Sequence, residues 1–168
     1  MPEKIKLDVF LEEYKNISEL PADSQALIEH ARNTCQYAYA PYSKFLVGAA
    51  LLMENGEVVT GSNQENASSP IGLCAERVAI YAAAARFPAV AIRKLAVTAI
   101  RKGGTTFQSV TPCGGCRQVI SEYQSVQNQP IQVIMEGPEH SIRVANSIEM
   151  LLPFEFSAKN MENTNDEV

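Results

Sequence analysis

The chain has no surplus of positive charge. Its 168 residues carry 14 Lys+Arg against 19 Asp+Glu, a formal net charge of −5. Affinity for a phosphate backbone comes from clustered Lys and Arg that displace counterions, so this balance argues against a polynucleotide as the main partner. Long apolar runs are missing too. The Ala-rich stretch from Val78 to Ile100 is broken by Arg86, Arg93 and Lys94, which keeps it from crossing a bilayer. Residues Met1 to Lys6 alternate charged and apolar side chains and lack the continuous apolar stretch of an export signal. There is no internal repeat and no low-complexity run. Histidine is scarce: His30 and His140 read as ordinary surface or core residues. These absences lead to the expectation of a cytoplasmic protein without membrane contact. In a reducing compartment its four cysteines are thiols or metal ligands rather than disulfides.

What is present fits one domain, since 168 residues leave little room for two cores. Residues 1–20 read as an N-terminal extension, 21–157 as the domain and 158–168 as a polar tail. Lys4–Phe10 alternates well enough for a short strand but equally suits an irregular extension. A helix is predicted from Asp23 to Tyr39, with Leu27, Ala31, Cys35 and Ala38 on one stripe and Pro41 ending it. Phe45–Met53 and Glu57–Gly61 read as a hairpin around Asn55-Gly56, a pair that tolerates the positive φ angles of a two-residue turn. A loop over Ser62–Leu73 leads to a helix at Cys74–Phe87. After it come a strand at Lys94–Ile100, a helix at Gly114–Tyr123, and strands at Ile131–Met135 and Ser141–Val144. Asn146 and Glu149 have capping-box spacing for a last short helix. The order predicts an α/β fold with three layers, α/β/α, around a mixed sheet of about five strands.

The chemistry is concentrated in Cys74-Ala75-Glu76-Arg77 and Pro112-Cys113-Gly114-Gly115-Cys116-Arg117-Gln118. A Cys-x-x-Cys at a helix start points two sulfurs toward one ion, and Cys74, 39 positions earlier, completes three of zinc's four positions. An open fourth position marks catalytic zinc, because water binds there and ionises near neutral pH. Glu76 is placed to handle that water's protons without binding the metal. Zn²⁺ with three thiolates carries a charge of −1. Two helix N-termini and the neighbouring Arg77 and Arg117 are expected to offset it, the arginines by donating hydrogen bonds to sulfur. Taken alone, the Cys-x-x-Cys also suits a thioredoxin-like redox pair or half of a structural zinc site. The redox pair explains neither Cys74 nor Glu76. The structural site lacks a fourth ligand, since Cys35 reads as a small core residue.

At these residues the chain resembles the zinc-dependent deaminases, and its all-cysteine ligand set is similar to that of the branch acting on free nucleosides. Ala40-Pro41-Tyr42-Ser43-Lys44-Phe45, Val47-Gly48-Ala49-Ala50, Asn63-Gln64-Glu65-Asn66-Ala67, and Leu151-Leu152-Pro153 with Phe156 extend the resemblance. Together they resemble the cytidine deaminase family over about residues 22–157. The resemblance implies that family's α/β/α fold and one zinc per chain, held by Cys74, Cys113 and Cys116. It also implies hydrolysis of cytidine and deoxycytidine to uridine, deoxyuridine and ammonia. Glu76 would take a proton from the activated water, pass it to pyrimidine N3 and later protonate the departing amino group, while the hydroxide attacks C4.

By the same resemblance Asn63 and Glu65 hold the ribose, Phe45 walls the pyrimidine pocket and Ala75 lines the site, while Ala67 would offer a backbone group at a neighbouring subunit's site. The family forms homotetramers, in which Phe156 would reach a neighbouring site and stack on its base. Without the family motif, Asn63 and Glu65 would read as turn residues, and Phe156 as an apolar anchor. One departure stands out: Ser69-Pro70 replaces the Tyr-Pro common among relatives, which puts an intersubunit contact in question. Two rival activities belong to the same chemistry. A blasticidin S type deaminase would not need the Asn63-x-Glu65 motif, and a polynucleotide deaminase would need a basic channel.

Overall fold

The computed structural model describes residues 2–161, so residues 162–168 of the expected tail lie outside it. Its centre is a seven-stranded sheet in the order β1-β7-β6-β4-β2-β3, with β5 also paired to β4. The strands are β1 (Glu12–Tyr14), β2 (Phe45–Met53), β3 (Val58–Ser62), β4 (Ile92–Arg101), β5 (Phe107–Gln108), β6 (Gln132–Glu136) and β7 (Ile142–Ala145). Only the β4–β6 pair runs parallel. The helices are α1 (Ala22–Thr34), α2 (Ala75–Arg86) and α3 (Gly114–Gln127).

Period-2 alternation assigns the faces of the sheet. On one side Leu27, Ile28 and Ala31 of α1 pack on Ala50, Ala96, Ile134 and Val144. On the other, Ala75, Ala79, Ile80 and Ala83 of α2 and Ile120 of α3 pack on Ala49, Leu51, Leu95, Val97 and Val133. The predicted three layers are therefore present. The sheet gains two strands over the expected five. Strand β1 joins its edge through Glu12↔Val144 and Tyr14↔Ile142, and β5 pairs Phe107 with Ile100. Of the two readings of Lys4–Phe10, the irregular extension holds, since the first strand begins only at Glu12.

Three local details differ from expectation. The α1 helix ends at Thr34, whose hydroxyl donates to the His30 carbonyl (2.7 Å), and a 3₁₀ turn at Cys35–Tyr37 carries the chain on. In the hairpin only Gly56 takes a positive φ (+85°), while the Asn55 side chain accepts from the Glu57 amide at 3.1 Å. The loop is thus a glycine-terminated turn rather than a two-residue one. The capping box at Asn146 and Glu149 does not form. The 3₁₀ turn there is Ile148–Met150, and both side chains serve other partners: Gln132 donates to Asn146 and Gln124 donates to Glu149.

Two features of this frame position the site. Because β4 and β6 are parallel, α2 leading into β4 and α3 leading into β6 both start at the same end of the sheet. In addition, the buried Glu136 carboxylate accepts from Arg32 Nε (2.8 Å) and Thr98 Oγ1 (3.1 Å), while its backbone carbonyl accepts from the Val110 amide at 3.0 Å. The Arg32 guanidinium also lies 4.9 Å from the centre of the Phe107 ring. The stretch from β5 to Cys113 is tied at two points.

Helix α1 approaches the sheet at Gly48, where a Cβ would stand 2.1 Å from the Ala31 carbonyl oxygen and 2.9 Å from the Cys35 amide. Gly48→Ala is therefore expected to cost about 3 kcal/mol, the upper end of ordinary overpacking. Urea unfolding measures this directly, and an unchanged midpoint would contradict so close a contact.

Candidate active site

Cys74 and Cys113 are the residues immediately preceding α2 and α3, and Cys116 lies in the first turn of α3. Neither N-terminal residue uses its side chain as a cap. The sulfurs therefore lie where exposed helix amides concentrate positive charge. Cys74 Sγ and Cys113 Sγ are 3.8 Å apart, Cys113 Sγ and Cys116 Sγ 3.5 Å, and all three lie within 4.8 Å of one another. Tetrahedral zinc with bonds near 2.3 Å separates its sulfurs by about 3.8 Å. The cluster fits that ion on geometry and on donor type. Among the described residues it is the only group of three or more metal-ligating side chains. Cys35 stays apart, buried on the α1 face, where burial pushes its thiol up to about 11.

The three thiols share charge unequally. Cys74 is drawn down to about 5, first by the hydrogen bond from Cys116 and then by Arg77, whose Nη2 lies 3.6 Å from its sulfur. Cys116 is pushed up, because its proton bridges to Cys74 and its sulfur is buried beside Glu76. Arg77 thus does what its position implied. Its Nε is buried with no acceptor among the described residues, leaving a spare donor beside the cluster. Arg117 does not. It donates from Nε to the Pro112 carbonyl (2.8 Å) and from Nη1 to the Leu151 carbonyl (2.9 Å). Those two acceptors take its guanidinium away from sulfur, so it fixes the backbone of the ligand loop instead.

Glu76 is 4% exposed, and burial raises its carboxyl to about 7. It forms no salt bridge among the described residues, since neighbouring Arg77 turns to Cys74. A buried acid without a fixed counter-ion, next to a metal-type cluster, is suited to carrying protons.

A cleft of about 770 Å³ opens over Cys74, Glu76 and Cys113. Asn63, Glu65 and Ala75 line it, and so do Tyr42, Ser43, Val47, Val110 and Thr111; Ala67, expected at a neighbouring subunit's site, lines this chain's own cleft. Asn63 is already committed to backbone: its Oδ1 accepts from the Val47 amide (2.8 Å) and its Nδ2 donates to the Phe45 carbonyl (3.0 Å). One amide N–H remains for a ligand. Glu65 accepts the amides of Tyr42 (2.9 Å) and Ser43 (3.3 Å) on Oε2. The Ser43 hydroxyl and these amides hold its carboxyl below the usual range.

Phe45 is not part of the cleft wall. As the first residue of β2 it sits at the strand end, its ring 6.0 Å from the Arg101 guanidinium, and Val47 supplies the apolar wall. Phe156 is 59% exposed and lies outside its own chain's cleft. The lining residues that sequence reasoning left unassigned stand inside or beside the recognised motifs. Tyr42 and Ser43 lie in Ala40–Phe45, Val47 opens Val47–Ala50, and Thr111 precedes Pro112. Their adjacency was the available signal.

Comparison with known proteins agrees with this geometry. Residues 21–131 match the family model described as the cytidine and deoxycytidylate deaminase zinc-binding region. A cytidine deaminase of Halalkalibacterium halodurans is 40% identical over 139 residues, covering 83% of this chain and 98% of the relative. One of Sporosarcina psychrophila is 37% identical over 83% of this chain and 95% of the relative. The crystal structure of the Burkholderia pseudomallei cytidine deaminase superimposes with a TM-score of 0.66 at 39% identity, over 78% of this chain and 97% of that one. The Mycobacterium tuberculosis enzyme gives 0.64 at 32%, over 81% and 98%. With its three sulfurs and Glu76 at the head of two helices, the chain belongs to the cytidine and deoxycytidylate deaminase family.

Proposed function

We propose that the protein hydrolyses cytidine and deoxycytidine to uridine or deoxyuridine and ammonia. The observation that carries this reading is a three-sulfur cluster paired with a buried, unbridged carboxylate two residues from one of the sulfurs. The names of the relatives, all cytidine deaminases, support the substrate class. Zinc held by Cys74, Cys113 and Cys116, one ion per chain, would supply a Lewis acid able to activate water near neutral pH.

The chain's own residues do the rest. Glu76 would take one proton of the water and deliver it to pyrimidine N3 as the oxygen bonds to C4, then carry the remaining proton of that new hydroxyl to the amino group, which leaves as ammonia when the C4–N bond breaks. Arg77 and the N-termini of α2 and α3 offset the thiolate charge, which keeps the ligand set from neutralising the metal's acidity. Val47, Ala67 and Ala75 exclude water around the base. Glu65 and the remaining N–H of Asn63 hold the sugar hydroxyls. The cleft carries no lysine, and its one arginine is engaged by Cys74, so it suits an uncharged nucleoside over a phosphorylated one.

The active unit is a homotetramer with shared sites, acting in the cytoplasm. Supporting this are Tyr37, Tyr42, Ile71 and Phe156, large apolar side chains left exposed on the single chain. Ser69 lines the cleft.

Ammonia release tests the reading. Zinc-loaded protein is expected to turn over cytidine and deoxycytidine but not blasticidin S or single-stranded DNA, and turnover of DNA alone would sink it. Glu76→Gln is expected to keep its zinc and lose about 10²–10⁴-fold in kcat; an active variant would remove the proton-carrier role. For the metal, thiol labelling of chelator-treated protein should modify Cys74 and Cys113, and zinc should protect both while buried Cys35 stays unlabelled throughout. Labelling that zinc does not affect would refute the ligand set.

A further inference from the structure

Two parts of the recognised sequence have no task in the chemistry above: Gln118 at the end of the Cys113 motif, and the Leu151–Phe156 segment. The structure joins them. From one and a half turns of α3, Arg117 Nη1 donates to the Leu151 carbonyl (2.9 Å) and Gln118 Nε2 to the Phe156 carbonyl (2.6 Å). Ser121 Oγ donates to the Glu155 carboxylate (2.5 Å). Leu151 is seated in the core, but beyond it the segment is held by polar groups while Phe154 and Phe156 face outward. Phe154 is 78% exposed and Phe156 59%. A terminus that merely anchors itself does the reverse, burying apolar side chains and leaving polar groups to water. Of the two rings, Phe156 has its own carbonyl tied down; Phe154 has no comparable tether among the described residues.

An exposed ring on a fixed backbone is arranged to meet something outside the chain. It does not line its own chain's cleft. That cleft is itself open and partly apolar, and would gain a cover from a second copy.

We propose that Gln118 and Ser121 are positioning residues: they cradle the Leu151–Phe156 segment on α3 and aim Phe156 into the cleft of a second copy of this chain, over the substrate's base. Cys116 lies two residues before Gln118 on the same helix. The helix that holds a ligand for its own site therefore also carries the cover for another. This rests on the proposed nucleoside deamination in a shared-site assembly and adds to it the device that fixes the shared residue.

Gln118→Glu keeps the size of the side chain but removes the donor, setting a carboxylate against the Phe156 carbonyl. It is expected to raise KM for cytidine about tenfold, the scale of one lost base–aromatic stack, with kcat within about twofold. Zinc content and assembly size should not change. Gln118→Lys, which restores a donor, should bring KM back to within about twofold of the native value. Phe156→Ala, an exposed change that does not threaten folding, should give the same rise, and the double variant no more.

Mixed assemblies decide the direction of the effect. Glu76→Gln chains keep Gln118 and Phe156, so mixing them with Gln118→Glu chains should restore the low KM at the latter's intact sites. An unchanged KM in Gln118→Glu, or a raised KM that mixing leaves raised, overturns the proposal. Failure of the underlying function looks different, since the unmodified protein would then release no ammonia from cytidine at all.

Discussion

The structure depends on bringing three sulfurs within 4.8 Å of one another. Without an ion, that arrangement supports few negative charges, as the opposite displacements of Cys74 and Cys116 show. With a dication, the same crowding becomes a ligand set. The fold accommodates it through one topological choice. The parallel β4–β6 pair makes α2 and α3 begin at the same end of the sheet, so two helix N-termini converge on the point where thiolate charge accumulates. Arg77 adds a donor to one sulfur. Positive potential is supplied by backbone and a single side chain rather than by a basic surface, which is how a chain of net charge −5 can host such a centre.

Around that point the remaining polar contacts act mostly on backbone. Arg117 holds the carbonyls of Pro112 and Leu151, Asn63 pins the start of β2, Glu65 gathers the amides of Tyr42 and Ser43, and the Glu136 backbone carbonyl ties the Val110 amide. Each fixes a loop that feeds the cleft. Precision of this kind is what a site needs if its chemistry is to rely on fixed dipoles rather than on groups that reorganise during reaction. Glu76 is the exception: buried, yet not paired with any cation among the described residues.

Legibility in the sequence followed the physics of each element. Strand β2 was readable to the residue, because Phe45–Met53 is a long apolar run bounded by turn signals. The meeting of Cys74, Cys113 and Cys116 beside Glu76 was readable because their spacing is dictated by helix starts. Strands β1 and β5, three and two residues long, have no period to detect and exist through partners far along the chain. Side-chain partnerships were the least readable. Arg117 was expected on a sulfur by adjacency, yet a guanidinium with several donors settles where carbonyls converge. Phe45 was expected in the cleft, but it lies two residues further out along β2, beside Arg101, and the wall falls to Val47. Asn63 was expected to face a ligand, and the structure shows its side chain holding the strand that carries that wall.

The central claim is that this cluster is a catalytic centre with an open coordination position, not a structural knot. X-ray absorption at the zinc edge of the loaded native protein tests it most directly. Three sulfurs at about 2.3 Å with one oxygen or nitrogen neighbour at about 2.0 Å is the result required by Cys74, Cys113 and Cys116 alone. A shell of four sulfurs, with no place left for water, would contradict it.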